Sequence, residues 1–263
     1  MQIKNTSSVK PNVCTLITGV SGAGKTTLAG TIEGKTLIIS AEAGLLSLQD
    51  KGIDFIEIEG SDLEKWQQFK EALSFAAKSD YDNIFIDSLS EVSDIIVSYA
   101  ESEFPDAKNT MQKWGLYTAT MKRFIRYVRD IQKNVFITTL QKTDKDEVGK
   151  RYYAPDVSGK MAEKMPAFFD LVLNIKVIQK DDEDIRVIQT FTDSGIVCKD
   201  RSGKLSRYEK PDLSLILKKI GGFNENKDKA INNIGDGKRV SKMEQSDKKI
   251  QSNPKLATKS DNN

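Results

Sequence analysis

The stretch Gly19-Val20-Ser21-Gly22-Ala23-Gly24-Lys25-Thr26 sets the architecture expected for this chain. It matches G-x-x-x-x-G-K-[ST] at every fixed position, the pattern of a loop that binds phosphate between a strand and a helix. Both flanks agree with this pattern, because residues 13–18 form an apolar, β-branched run typical of a buried strand and Thr27-Leu28-Ala29 begins a helix. The sequence therefore predicts a strand, a phosphate-binding loop (the P-loop) and a helix, in that order.

The residues of the P-loop have distinct expected roles. Its glycines let the backbone curl so that N–H groups point at an anion, and the N-terminus of the next helix adds to that attraction. Lys25 should reach the β- and γ-phosphates of a nucleotide, and the Thr26 hydroxyl should ligate Mg²⁺. The alternative is a glycine-rich turn that binds nothing. The residues expected to contact ATP are Gly19, Ser21, Gly22, Ala23, Gly24, Lys25, Thr26 and Thr27.

Composition excludes several classes of function. The chain of 263 residues contains no histidine, which removes Ser-His-Asp triads, histidine acid–base chemistry and most zinc sites. Its net charge of +2 argues against a strongly basic nucleic-acid coat. Cys14 and Cys198 lie in apolar runs without metal-ligand spacing, so we expect buried free thiols. The polar N-terminus and the lack of a long apolar run predict a cytoplasmic protein with no membrane anchor.

The rest of the sequence predicts strands that alternate with helices. Buried strands are expected at 36–40, 83–87 and 135–139, an edge strand at 55–59, a hairpin from 171–178 and 185–192, and a last strand at 196–199. Helices are expected at 61–78, 89–103, about 116–131 and 211–220, with a loop at 104–115 and an irregular polar segment at 142–166. This order predicts an α/β fold whose mostly parallel central sheet has helices on both faces and an antiparallel C-terminal hairpin.

Three polar side chains stand at or just beyond the ends of predicted strands, and a fourth lies in the helix that follows one of them. Asp87 ends one strand, and we expect it to hold Mg²⁺, although it could instead cap the next helix. Glu42 follows another strand and could activate the water that attacks the γ-phosphate; the alternative is a solvated loop acid. Glu91 is the rival base, one helical turn beyond Asp87. Gln141 follows the strand at 135–139 and could bind the γ-phosphate.

The order of these motifs resembles the RecA-like ATPase core, over about residues 12–220. In that family a glutamate after the second strand is the catalytic base, which maps onto Glu42. A glutamine at the end of a later central strand senses the γ-phosphate, which maps onto Gln141. Lys199 and Arg201 resemble a K-x-R finger that reaches the ATP of a neighbouring subunit. The resemblance therefore implies a RecA-like P-loop NTPase that forms a homo-oligomer with ATP at subunit interfaces.

The stretches S-A-E-A-G, I-D-S-L-S-E and C-K-D-R-S-G are similar to those of short, phage-encoded RecA-like proteins that act in recombination and single-strand annealing. That resemblance implies that two loops, at about 104–115 and 142–164, contact single-stranded DNA. The second contains Gly149-Lys150-Arg151-Tyr152-Tyr153, in which cations stand next to aromatic rings. The alternative is a solvated charged loop.

The sequence predicts three segments of the chain and leaves three functions to be distinguished. Residues 1–11 are expected to be a flexible N-terminus, 12–220 an ATPase domain and 221–263 a disordered polar tail that could recruit a single-strand-binding protein. The first function is an ATPase that acts on single-stranded DNA in phage recombination or annealing. The alternatives are a P-loop kinase of small molecules and a nucleotide-gated helicase loader or replication regulator.

Overall fold

The computed structural model describes residues 3, 5, 12–42, 44–106, 108, 110–145, 149 and 151–221. The elements below all belong to one compact unit, Met1–Gly222. Apart from Ile3, Asn5 and Gly221, the expectations for residues 1–11 and 221–263 fall outside the described residues, and so does Lys150.

The described chain contains ten strands, five α-helices and three 3₁₀ helices. The strands are β1 (Cys14–Gly19), β2 (Thr36–Ser40), β3 (Asp54–Glu57), β4 (Asn83–Asp87), β5 (Asn134–Lys145), β6 (Arg151–Pro155), β7 (Leu171–Lys180), β8 (Glu183–Gln189), β9 (Lys199–Asp200) and β10 (Tyr208–Glu209). The α-helices are α1 (Asp62–Lys78), α2 (Leu89–Glu103), α3 (Thr110–Asp130), α4 (Met161–Lys164) and α5 (Leu213–Ile220). The 3₁₀ helices are Thr26–Thr31, Leu45–Lys51 and Met165–Phe168.

The strands form one mixed sheet in the order β10-β8-β7-β1-β5-β4-β2-β3, with β6 added to β5 and β9 added to β7. The central strands, from β7 to β3, are all parallel, whereas β6, β8, β9 and β10 pair antiparallel. The predicted fold class, a mostly parallel sheet with an antiparallel C-terminal hairpin, is confirmed. Because parallel strands all end at the same edge, that edge collects the residues after β1, β2, β4 and β5.

Both faces of the central strands are buried, as expected for a parallel sheet covered on each side. On β4, Ile84 and Ile86 join the core cluster that includes residues of α1, α2 and α3. Phe85 points to the other face, where it lies 6.4 Å from Phe136 between ring centroids and is fully buried. Neighbouring positions of one strand therefore pack into two cores, which explains why the three interior residues I-F-I of this strand are all apolar.

The segment expected to be an irregular loop at 142–166 is instead largely ordered. β5 continues to Lys145 and pairs antiparallel with β6, so that a hairpin extends beyond the C-terminal edge of the sheet. Most of its residues are polar, and burial in β6 is complete only at Ala154 and Pro155, so the hairpin carries little of the apolar periodicity by which strands are recognised. The loop expected at 104–115 is also too long, since α3 begins at Thr110.

Smaller differences occur beside the P-loop and in the C-terminal part. The expected helix after the P-loop is a 3₁₀ helix, Thr26–Thr31, and a second one, Leu45–Lys51, was not predicted. The strand expected at 196–199 is displaced, because β9 begins at Lys199. The two-residue β10 gave no sequence signal. These elements have at most seven residues, too few for a periodic pattern.

Candidate functional site

The P-loop lies at the C-terminal edge of the sheet, directly after β1. Gly22 and Gly24 have φ values of +76° and +100°, a left-handed conformation that side chains disfavour. The P-loop backbone therefore curls in a way that depends on glycine at these positions. Ser21 and Thr27 are exposed and Ala23 is buried, so polar side chains of the loop face solvent while Ala23 packs into the protein.

The Lys25 side chain lies along the inside of this loop. Its ammonium donates hydrogen bonds to the carbonyl oxygens of Gly19 and Val20, each at 3.0 Å, and only 9% of the residue is exposed. Burial lowers the pKa of Lys25, while the nearby carboxylates of Glu42 and Asp87 act in the opposite direction. A buried cation faced by two acids is thus present where a phosphate chain would bind.

The structure brings Thr26 and Asp87 into direct contact. The Thr26 hydroxyl donates a hydrogen bond of 2.6 Å to Asp87 Oδ2, and the other carboxylate oxygen accepts one from the Thr138 hydroxyl. Asp87 is only 2% exposed. Mg²⁺ in nucleotide sites takes one or two protein oxygens together with phosphates and water, and this hydroxyl–carboxylate pair provides such oxygens. Among the described residues, no three or more Cys, Asp or Glu side chains are grouped so that they could hold a metal ion. The pair therefore suits a metal that is held largely by the nucleotide.

Glu42 follows β2 in the sequence, but it is hydrogen-bonded to the end of the neighbouring strand β4. Its backbone N–H and that of Ala41 donate to the carbonyl oxygen of Asp87, at 3.3 and 2.7 Å, and its carboxylate accepts a hydrogen bond from Ser88. The rival acid, Glu91, lies in the first turn of α2, and burial together with Glu42 raises its pKa. Of these two acids, Glu42 is the one whose charge acts on Lys25, whereas Glu91 is repelled by the charge of Glu42.

Gln141 is partly buried and is hydrogen-bonded to a chain of buried polar side chains beside the P-loop. Its side-chain oxygen accepts a hydrogen bond of 2.7 Å from the Asn174 amide, which also donates to Thr18 Oγ1 at 2.9 Å. The preceding residue, Leu140, is in register with Gly19. Gln141 therefore stands at the root of the β5–β6 hairpin, one residue beyond the register of the first P-loop glycine.

Lys199 and Arg201 lie away from the P-loop of their own chain. Lys199 donates to three carbonyl groups, the nearest that of Phe169 at 2.7 Å, and Arg201 forms an ion pair of 2.7 Å with Asp170. Asp170 in turn bonds the backbone of Cys14, the first residue of β1. Because β1 spans about 17 Å, these two cations stand at the opposite edge of the sheet. Their role as fingers toward a neighbouring subunit stays a prediction.

Several side chains at the site were not singled out from the sequence. Thr138, Asn174 and Ser88 bind the predicted residues, but each is a common polar residue within or next to an apolar run. Arg186 of β8 lies against the P-loop: its Nε is 3.6 Å from the position that a Cβ on Gly24 would take. No local pattern marks it, because a long-range strand pairing brings it there.

Comparison with known proteins agrees with this geometry. The model of a family described as AAA_24, AAA domain, matches residues 11–202, which cover the P-loop, both acids and the K-x-R stretch. The chain belongs to this AAA-domain family. The match supports a P-loop NTPase core and leaves the narrower, phage-type resemblance as a proposal.

Other comparisons of the AAA-domain chain are less informative. A solved structure described as a prototypical ATPase from the type III secretion system of pathogenic bacteria is similar with a TM-score of 0.45 and 14% identity. That match covers 63% of this chain and 52% of the other, so the chain spans about half of that protein's length. No similar sequence was found among curated proteins. Among the described residues, no helix has both the length and the apolar character needed to cross a membrane.

Proposed function

We propose that this AAA-domain chain binds ATP with Mg²⁺, hydrolyses it, and acts on single-stranded DNA in phage recombination or strand annealing. The observation that carries the enzymatic part is the contact between Thr26 and Asp87, with Glu42 hydrogen-bonded to the end of the same strand. A hydroxyl, a metal-binding carboxylate and a second carboxylate thus converge beside the P-loop lysine. A turn that binds nothing would not require this convergence.

The residues divide the work of hydrolysis between them. Lys25 and the P-loop amides bind the phosphate chain, and Thr26 and Asp87 hold the metal, which would neutralise charge on the β- and γ-phosphates. Glu42 accepts a proton from the attacking water. The hydrogen bond from Ser88 orients its carboxylate for that task. The transferred proton therefore ends on a side chain that is fixed by β2 and β4 together.

The β5–β6 hairpin is the surface that we assign to single-stranded DNA. Lys145 and Arg151 stand directly opposite each other across the two strands, and Thr143 stands opposite Tyr153. Like charges in directly opposed positions repel, so an anion such as a phosphate bound between them would relieve a cost. Tyr153 lies two residues along, on the same face of the ribbon, where its ring can stack on a base.

Gln141 offers a route by which nucleotide and DNA communicate. It lies in β5 at the base of the hairpin, opposite Pro155 of β6, and is hydrogen-bonded to Asn174 of β7. We propose that a γ-phosphate recruits the Gln141 amide and thereby shifts the base of the hairpin. Lys199 and Arg201 would complete the site of an adjacent copy in a homo-oligomer, and a single-strand-binding protein remains a proposed partner.

The test is an ATPase assay of the full chain titrated with single-stranded DNA. Free phosphate should be the only product, and its rate of release should rise with DNA. Lys25→Ala should abolish nucleotide binding, whereas Lys78→Ala, an exposed lysine at the end of α1, should behave as wild type. A phosphorylated metabolite as product would support the kinase alternative. Turnover that DNA leaves unchanged would support the helicase loader or replication regulator instead.

A further inference from the structure

Arg186 lies beside the P-loop on the side away from the acids. β1 is flanked by β5 and β7. Asp87 and Glu42 end or follow strands on the β5 side, whereas Arg186 belongs to β8, beyond β7. The P-loop therefore stands between two carboxylates on one side and a guanidinium on the other. A phosphate chain bound on the loop would have the carboxylates on one side and the guanidinium on the other.

The pairing of β8 with β7 explains why Arg186 lies next to the P-loop. In the β7–β8 hairpin Val177 pairs with Arg186 and Ile175 pairs with Ile188, so these four side chains share a face. Ile175 contacts the P-loop at two places, since its side chain would meet a Cβ on Gly19 at 3.0 Å and one on Gly24 at 3.7 Å. Arg186 lies next to this contact: its Cδ and Nε are 3.7 and 3.6 Å from the position that a Cβ on Gly24 would take.

The guanidinium of Arg186 is available for a ligand. Arg186 is exposed, and among the described residues its side chain has no hydrogen bond or ion pair. Asp184, two residues earlier on the same face of β8, forms no ion pair with it in the described structure. By contrast, Lys199 and Arg201 are bonded to groups of their own chain. Within the described part of the chain, Arg186 is thus a cation without a hydrogen-bond or ion-pair partner, and its side chain lies against the last P-loop glycine.

We propose that Arg186 binds the inner phosphates of the nucleotide, in the same chain, from the side opposite the metal-binding acids. This inference rests on the proposed binding of ATP. The terminal phosphate lies on the side of Thr26, Asp87 and Glu42, so the α- and β-phosphates lie nearer to β7 and β8. Arginine suits this task because its planar fork binds two phosphate oxygens at once and stays charged. The residue would hold ATP and ADP alike, and it would not act on the attacking water.

Equilibrium binding of labelled ATP and ADP to purified full-length protein tests the proposal. Arg186→Ala should weaken both nucleotides about tenfold, the effect of losing a charge-assisted hydrogen bond at an exposed site. Arg186→Lys should recover only part of the loss, because it restores the charge and not the fork. Lys180→Ala, at the tip of the same hairpin, is the matched control and should bind as wild type. Thermal unfolding should be unchanged in all three variants.

The outcomes separate this inference from the proposed function. If wild type and Lys180→Ala bind nucleotide and Arg186→Ala binds it equally well, the assignment of Arg186 is overturned while nucleotide binding stands. A loss confined to ATP would also overturn it, since that would place the guanidinium on the terminal phosphate. If wild-type protein binds neither nucleotide, the proposed function itself fails.

Discussion

Gly19 packs so closely against Ile175 that a Cβ built on the glycine would lie 2.8 Å from the Ile175 carbonyl oxygen. The obstacle is backbone, so it cannot move aside as a flexible side chain would. The first P-loop glycine is therefore needed for the approach of β7 to β1, whereas Gly22 and Gly24 are needed for their positive φ values. One motif thus contains glycines selected by two different physical constraints.

We predict that Gly19→Ala lowers the free energy of unfolding by about 1–3 kcal/mol, the range typical of overpacking. Urea-induced unfolding measures this loss. Gly115→Ala is the control, because Gly115 lies in α3 with nothing within 4 Å of a new Cβ, and it should stabilise the protein by about 0.5–1 kcal/mol. Equal stability of Gly19→Ala and wild type would contradict the close packing of β7 on the P-loop.

Glu42→Gln should lower the turnover number for ATP by about 100-fold or more, while the dissociation constant for ATP changes little. The amide cannot accept the proton from water, and general-base catalysis typically contributes 10²- to 10⁴-fold. Glu91→Gln is the matched control and should cost less than about tenfold, because Glu42 and Asp87, and not Glu91, are the acids that interact with Lys25. Single-turnover kinetics measure both variants. The reverse ranking would transfer the role of base to Glu91.

Arg201→Ala distinguishes a finger in an oligomer from a structural ion pair. A finger predicts normal ATP binding with slow hydrolysis in the assembled protein. The partly exposed pair with Asp170 is worth about 0–1 kcal/mol, so stability should change little. Asp170→Asn weakens the same pair but leaves the arginine in place, and it should retain hydrolysis. Equal activity of the two variants in an ATPase assay would mean that Arg201 acts only through Asp170.

The two cysteines should make stability fall at alkaline pH. Burial raises the pKa of Cys198 to about 12 and that of Cys14 further. As pH rises above about 9, the unfolded thiols lose protons that the folded thiols keep, so the folded state loses up to about 1.4 kcal/mol per pH unit and thiol. Urea unfolding between pH 8 and 10 should show a smaller slope for Cys198→Ala than for wild type. Rapid reaction of native protein with a thiol reagent at pH 8 would refute the burial.

The sequence was sufficient for the buried strands and for the helices that cover them. β2 and β4 have the expected limits because their interior positions are apolar. The start of α1 was also predicted, because the Ser61–Glu64 capping box marks it, and Glu64 accepts a hydrogen bond of 2.8 Å from the Ser61 N–H. Asp87 could be placed because it ends such a strand. The P-loop motif and the local apolar patterns both depend on residues that are close in sequence, and here both predict the same elements.

What the sequence could not provide depends on contacts between distant segments. Arg186 reaches Gly24 only through the pairing of β8 with β7 and of β7 with β1, and no local pattern encodes this register. The β5–β6 hairpin was missed because only the end of β6, at Ala154 and Pro155, is buried, which leaves too few apolar positions to form a pattern. In the same way, the ion pair of Arg201 with Asp170 joins residues 31 positions apart. Such contacts determine the surroundings of the candidate site, whereas the motif determines its centre.

Removal of either cation at the paired position of the hairpin should weaken DNA binding in a salt-dependent manner. Lys145→Ser and Arg151→Ser each remove one phosphate contact, so the slope of log K against log salt for a single strand should fall by about 0.7 in each variant. Unfolding free energy should stay within a few tenths of a kcal/mol or rise slightly, because the two like charges no longer face each other. Arg126→Ala removes an exposed charge from α3 and is the control for non-local attraction. If Arg126→Ala changes the slope as much as the hairpin variants do, the DNA does not bind at the hairpin.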